Sequence, residues 1–352
     1  TVPTADNSSV GTDLVAWLNL KKQLDAGVVN GVPYANNSTN GIVSTYSLVY
    51  TTVESYQGGV LAPNGDIHFV PHRAAVGQKV SAAGVVSTYS LVYTALTVYT
   101  GGVLAPNGDI HFVPYSAVRG QKINASGVVS TYSLVYTTSG AYTGGVLAPN
   151  GDIHFIPSSA NRGQKVSAAG VVSTYSLIYT ASSAYRGGVL APNGDIHFVP
   201  YGANRGQKIS AAGVVSTYSL VFTGTNSYTG GVLAPNGDIH FVPASSTVGQ
   251  KISSLGVVST YSIIINDLNG GVLAPNGDVH FINNGFAQGE KVSFTGIVST
   301  YSVFNIGSYF GGVLSQNGDI HFIPLSANRG QKISTNVQQK VGYALSPFFN
   351  KF

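Results

Sequence analysis

GGVLAPNGDIHFVP, residues 58–71, decides how this chain is read, because nearly the same fourteen residues return along it. The opening Gly-Gly pair at Gly58 recurs at Gly101, Gly144, Gly187, Gly230, Gly270 and Gly311, in four steps of 43 residues, then 40 and 41. A second phrase, VSTYS, starts at Val43, Val86, Val129, Val172, Val215, Val258 and Val298. A third, GQK, supplies Lys79, Lys122, Lys165, Lys208, Lys251, Lys291 (as GEK) and Lys332. Seven copies of three phrases make a seven-unit array.

Within one unit, GGVLA and DIHFV are short β-prone runs joined by Pro63-Asn64-Gly65. Proline presets the first turn residue there, and glycine accepts the left-handed conformation that closes a tight hairpin. GQKVS follows after a loop, and Gly84 breaks the chain before the longer run VVSTYSLVYT. The unit therefore predicts a four-stranded meander, and four strands in about 40–45 residues predict a propeller blade. The expected fold is an all-β, seven-bladed β-propeller over 41–334. The array opens on a lone VSTYSLVYT strand and ends on a lone GQKIS strand, so the first strand is expected to complete the last blade. That order resembles the closure of WD-repeat propellers, although the Trp-Asp dipeptide is missing from every unit.

Two flanks stand outside the array. Thr12 caps an expected amphipathic helix over 12–26, ended by Gly27, with Leu14, Trp17, Leu18 and Leu24 on its apolar face. A polar linker, 28–40, follows, so 1–40 reads as an anchoring segment. The tail 335–352 ends in an aromatic cluster that includes Phe348, Phe349 and Phe352, which also needs a partner. Thr1 heads a chain without methionine, so removal of an initiator Met or of a signal segment is expected.

Charged residues make up 9% of the chain and the formal charge is +4. No Lys/Arg run is dense enough to follow a phosphate backbone, so nucleic-acid binding is not expected. No apolar run approaches the roughly 18 residues that span a bilayer, so no membrane insertion is expected. Cysteine is absent, which removes thiolate metal sites and cysteine nucleophiles.

Asp66 and His68 share a strand face, and the pair recurs in all seven units. A ring of Asp and His invites a metal or acid–base reading. A pair required equally by every blade, however, serves something every blade needs, such as a buried hydrogen-bond network that includes the STYS hydroxyls. No catalytic residue, metal or cofactor is therefore expected, and the chain reads as a non-enzymatic protein.

A meander places the APNGD and SAAG turns at one rim and the remaining loops at the other. The first rim is nearly constant. The second reads HRAAV (72–76), YSAVR (115–119), SSANR (158–162), YGANR (201–205), ASSTV (244–248), NNGFAQ (283–288) and LSANR (325–329). It carries Arg73, Arg119, Arg162, Arg186, Arg205 and Arg329, together with Tyr56, Tyr99, Tyr142, Tyr185, Tyr228 and Tyr309. Arginine and tyrosine are frequent interface anchors, so this rim is the expected partner-binding or ligand-binding face. The arginines also admit a second reading, as clamps between blades.

The LAPNG-D-I-x-F repeats and the TVPTADNSS start resemble bacteriophage virion proteins, tail- or capsid-associated. The resemblance implies a virion structural or decoration protein, attached to other virion proteins through its flanks and contacting a host-surface glycan. A secreted, extracellular lectin with multivalent sugar binding is the alternative.

Overall fold

The computed structural model describes residues 28–29, 32–33, 41–304 and 307–335. Among these every regular element is a strand, and apart from the short pair Val28–Val29 and Val32–Pro33 the strands form seven antiparallel four-stranded sheets. The all-β, seven-bladed ring read from the repeat is the fold observed. The expected helix over 12–26 lies outside the described residues, as do Leu14, Trp17, Leu18, Leu24, Phe348, Phe349 and Phe352.

One blade runs outward from the axis as Tyr56–Leu61, Ile67–Pro71, Val76–Val80 and Val86–Ser90. The other innermost strands are Tyr99–Leu104, Tyr142–Leu147, Tyr185–Leu190, Tyr228–Leu233, Leu268–Leu273 and Tyr309–Leu314. In the seventh sheet, Val43–Ser47 takes the outermost place, with Val43 opposite Ile333 and Ser47 opposite Arg329.

The second strands, IHFVP and its variants, are buried along their whole length. That is the expected fate of a strand covered on both faces. The core lies between blades. Val60 and Val70 of the first pack with Tyr99, Ile110, Phe112 and Ile123 of the second. Val313 and Ile323 of the seventh pack with Tyr56, Ile67 and Phe69 of the first. Each fully buried Phe of this set, such as Phe69 and Phe112, contributes roughly 2–3 kcal/mol.

Glycine sets how closely the innermost strands approach. Gly101 has φ +83°, and a Cβ on it would lie 3.0 Å from the Cα of Gly144. The same backbone-to-backbone approach runs from Gly58 to Gly101 and from Gly270 to Gly311.

The repeated polar residues stitch each sheet to itself. Lys79 Nζ donates to Asp66 Oδ2 at 2.7 Å, and the equivalent pair recurs in all seven blades at 2.5–2.9 Å. Asp66 Oδ1 also accepts the amide of Ala82, joining the two turns of the constant rim. His68 sits under Tyr89, its Nδ1 3.4 Å from the hydroxyl. Tyr89 in turn lies across Gly77, where a Cβ would fall inside its ring. The three constant phrases are thus one packing unit. In the sixth blade the tyrosine departs: Tyr301 donates to the carbonyl of Phe281 at 2.9 Å.

Candidate functional site

Every innermost strand carries a one-residue bulge. Tyr56 faces Pro71 while Gly59 faces Phe69, so Gln57 and Gly58 together oppose a single partner position. The same shift occurs in all seven sheets. A bulge re-aims the side chain it carries. The re-aimed residues are Gln57, Thr100, Thr143, Arg186, Thr229, Asn269 and Phe310, while Gly-Gly-Val-Leu after each is constant. Symmetry, broken elsewhere in these strands only where Leu268 replaces the leading tyrosine, is lost at this position.

Five of the seven bulge residues, Gln57, Arg186, Thr229, Asn269 and Phe310, line a cavity of about 280 Å³ at the channel mouth on the variable rim. Loop residues complete it: Glu54, Tyr201, Asn226, Ala244, Ser245, Asp267, Asn284 and Leu325. Glu54, Asn226 and Asp267 all have left-handed backbones, with φ of 55°, 56° and 61°. Side chains other than glycine are strained there, by on the order of 1 kcal/mol or more each. Thr97 and Ser183, away from the cavity, have the same left-handed backbone, with φ of 57° and 53°, so the conformation belongs to the recurring loop.

Among the bulge threonines, Thr143 Oγ1 donates to the Tyr185 carbonyl at 3.0 Å and Thr229 Oγ1 to the Leu268 carbonyl at 2.6 Å. Arg186 differs. Its guanidinium carbon lies 4.7 Å from the Tyr201 ring centre and 5.3 Å from that of Phe310, which belongs to the seventh blade. His72, in the same loops, is buried with its Nδ1 2.9 Å from the Tyr99 carbonyl. Burial first of all lowers its pKa, which favours the neutral ring.

The expected rim residues separate into three groups. Tyr56, Tyr99, Tyr142, Tyr185, Tyr228 and Tyr309 are fully buried. Their hydroxyls donate to the carbonyls of Val76, Arg119, Arg162, Arg205, Val248 and Arg329. The expectation that these tyrosines meet a ligand is therefore corrected: each is a strut between the first and third strands of its blade. Arg119, Arg162, Arg205 and Arg329 are exposed at the starts of third strands. Arg73 pairs with Glu54 at 2.8 Å. Only Arg186 of the six arginines lines the cavity.

Tyr201, Phe310, the amide residues and the two carboxylates of the mouth were not singled out from the sequence. A signal existed: one variable position inside the phrase Tyr-x-Gly-Gly-Val-Leu, whose remaining residues change only at Leu268. The Asp/His ring, by contrast, does not converge. Its histidines lie within separate blades, and no cluster of three metal-ligating side chains occurs among the described residues.

No protein-family model matches the chain, and no curated protein does. Solved structures do. A streptogramin B lyase superposes with TM-score 0.73 at 19% identity, covering 85% of this chain and 99% of that one. Virginiamycin B lyase from Staphylococcus aureus gives 0.74 at 18%, over 83% and 98%. The WD40 β-propeller domain of Doa1 gives 0.66 at 12%, over 84% and 98%. At these identities the likeness shows the fold: this chain is a seven-bladed β-propeller.

The expectation of a non-enzymatic protein is corrected by the same finding. It rested on a seven-fold pattern with no singular residue, and two of these superposable rings are lyases. The bulge positions also supply the asymmetry that the repeat conceals. The virion resemblance has no counterpart among these three structures.

Proposed function

We propose that the propeller recognises a polyhydroxylated ligand, a sugar ring of a surface glycan, at the channel mouth of its variable rim. The observation that carries this reading is the bulge position. It varies among Gln, Thr, Arg, Asn and Phe while the Gly-Gly-Val-Leu after it does not, and five of its seven residues share one cavity. Ring closure alone explains none of that variation, since threonine satisfies the position within the backbone in two blades. The lining alternates amides, hydroxyls and carboxylates, the donors and acceptors that a polyol requires, in a concave site.

Attachment through the flanks agrees with the placement of the ring's two ends. Gly41 donates to the Ser334 carbonyl at 2.7 Å, and the Thr335 hydroxyl meets the Gly318 carbonyl in a turn of the constant rim. Both flanks thus leave from the rim opposite the cavity. On this reading 1–40 and 335–352 tether the ring to a virion, and the variable rim faces the host surface. A secreted lectin would use the same mouth.

A glycan array probed with the full chain tests the reading. Asn269→Leu combined with Gln57→Leu should abolish binding, whereas Asn64→Ala at the opposite rim should leave it intact. Equal binding by all three proteins would refute the assignment of the mouth.

A further inference from the structure

We infer that the channel mouth selects an acidic sugar, a hydroxylated carboxylic acid of the hexuronic type, through the guanidinium of Arg186. The inference rests on the reading of the mouth as a sugar site and adds the charge of the ligand. Arg186 donates no hydrogen bond and forms no ion pair among the described residues. Its neighbours are two aromatic faces, Tyr201 from its own blade and Phe310 from the seventh. Stacking holds the plane of a guanidinium without occupying the N–H groups along its edge. Arg186 is only half-buried, so water meets those five donors in the free protein and a bidentate acceptor can take its place.

The carboxylates of the lining are engaged elsewhere. Glu54 binds Arg73 at 2.8 Å, and Asp267 Oδ1 accepts from Asn284 at 3.2 Å. The other arginines are explained without a ligand, by that ion pair or by solvent exposure at third-strand starts. At the bulge position itself, Thr143 and Thr229 are satisfied by neighbouring backbone. Arg186 alone is charged, pre-positioned and unpaired.

Charge decides the kind of anion. A guanidinium fork accepts carboxylate or phosphate in two parallel hydrogen bonds. Glu54 is already neutralised by Arg73, but Asp267 lines the same cavity and accepts from a neutral amide, so a dianionic phosphate would bring two charges to one free cation beside a like charge. A single carboxylate is matched. The cavity, about 280 Å³, lies at the small end of ligand sites, suited to one ring rather than an extended chain.

Calorimetric titration of the full chain with glucuronate and galacturonate, against glucose, galactose and glucose 6-phosphate, tests the inference. The hexuronates should bind about tenfold or more tighter than their parent hexoses, the scale of one charge-assisted bidentate contact. Arg186→Gln should erase that preference, bringing the hexuronate-to-hexose affinity ratio to about one, with Arg186→Lys retaining part of it. Phe310→Leu, which removes one stacking face, should weaken hexuronate binding several-fold while leaving the charge in place. Equal affinity for hexuronates and hexoses in the parent, or an undiminished preference in Arg186→Gln, would overturn acid selection alone. Tighter binding of glucose 6-phosphate would overturn the carboxylate assignment. Binding of no sugar of either kind would overturn the underlying reading of the mouth.

Discussion

The Glu290 carboxylate accepts the backbone amide of Ile265 at 2.7 Å through Oε2, and that of Ile264 at the same distance. Elsewhere this clamp between blades is a glutamine: Gln78 Oε1 accepts the amides of Val49 and Tyr50 at 3.0 and 2.8 Å. Glutamine makes the tie without charge. Glu290 is fully buried, its Oε1 has no partner, and burial raises its pKa. A group whose pKa is raised in the folded state stabilises it at low pH, and that contribution is lost as pH rises through the folded value. Glu290→Gln should therefore stabilise the ring by about 1 kcal/mol at neutral pH. The gain should shrink as the pH is lowered, as read by denaturant titration at two pH values. A variant less stable than the parent at neutral pH would contradict this.

The buried histidines predict a second pH dependence, of opposite sign. Burial first, then the neighbouring lysine, pushes the pKa of His68 from 6.5 down to about 4, and its six equivalents fall likewise. Between those values the unfolded chain binds more protons than the folded one, so stability declines as pH falls from 6.5 toward 4. Calorimetric Tm values should drop steeply across this window because seven sites act together. His68→Ala should cost about 1–3 kcal/mol through lost packing beneath Tyr89 and an unpaired buried hydroxyl. Elemental analysis of the purified protein should find no stoichiometric zinc bound at these histidines.

Gly101→Ala tests the contact at the axis. The substitution adds a Cβ 3.0 Å from the Gly144 Cα, at a position with φ +83°. Both effects oppose it, so a loss of about 2–3 kcal/mol is expected from chemical denaturation. Gly84→Ala, at a turn with φ +82° and no atom within 4 Å of the new Cβ, should cost less. Equal losses would show that backbone approach at the axis is unimportant.

Tyr185→Phe removes the hydroxyl that donates to the Arg205 carbonyl at 3.1 Å. It should lower stability by about 1 kcal/mol and leave ligand affinity unchanged. Arg162→Ala combined with Arg205→Ala should change neither by more than a few tenths of a kcal/mol, as both are exposed. A loss of sugar binding in that double variant would move the working surface from the channel mouth to the outer rim.

Truncation tests the proposed tether. Removing 1–40 should leave the Tm nearly unchanged and abolish assembly onto a particle. Removing 1–47 also takes away Val43–Ser47, which pairs with Arg329–Ser334, and exposes a strand edge. It should lower the Tm markedly, and identical melting of the two truncations would argue against that strand's contribution.

The blade was legible because its signals are local. Pro63-Asn64-Gly65 fixes a turn, the runs on either side fix two strands, and repetition multiplies one local answer by seven. The mouth was only partly legible. Arg186 stood among the variable-rim arginines, and its place in YRGGVL, where Arg162 and Arg205 stand in NRGQK, was the one local difference that set it apart. Tyr185 was misplaced. Its loop-proximal position reads as exposed, while the bulge and the neighbouring blade bury its ring and aim the adjacent Arg186 into the opening.

By itself the sequence determined an array of seven β-meanders with one constant and one variable rim, since turn chemistry and strand patterning act over a few residues. Only the tertiary structure decided which variable residues meet. Curvature of the ring carries Phe310 of the seventh blade to Arg186 of the fourth, two residues that no local signal relates. It leaves that guanidinium stacked and unpaired at the axis while Thr143 and Thr229, at the same repeat position, bond to neighbouring backbone. Convergence at the mouth depends on how the sheets pack around the channel, and that packing is a property of the whole closed ring.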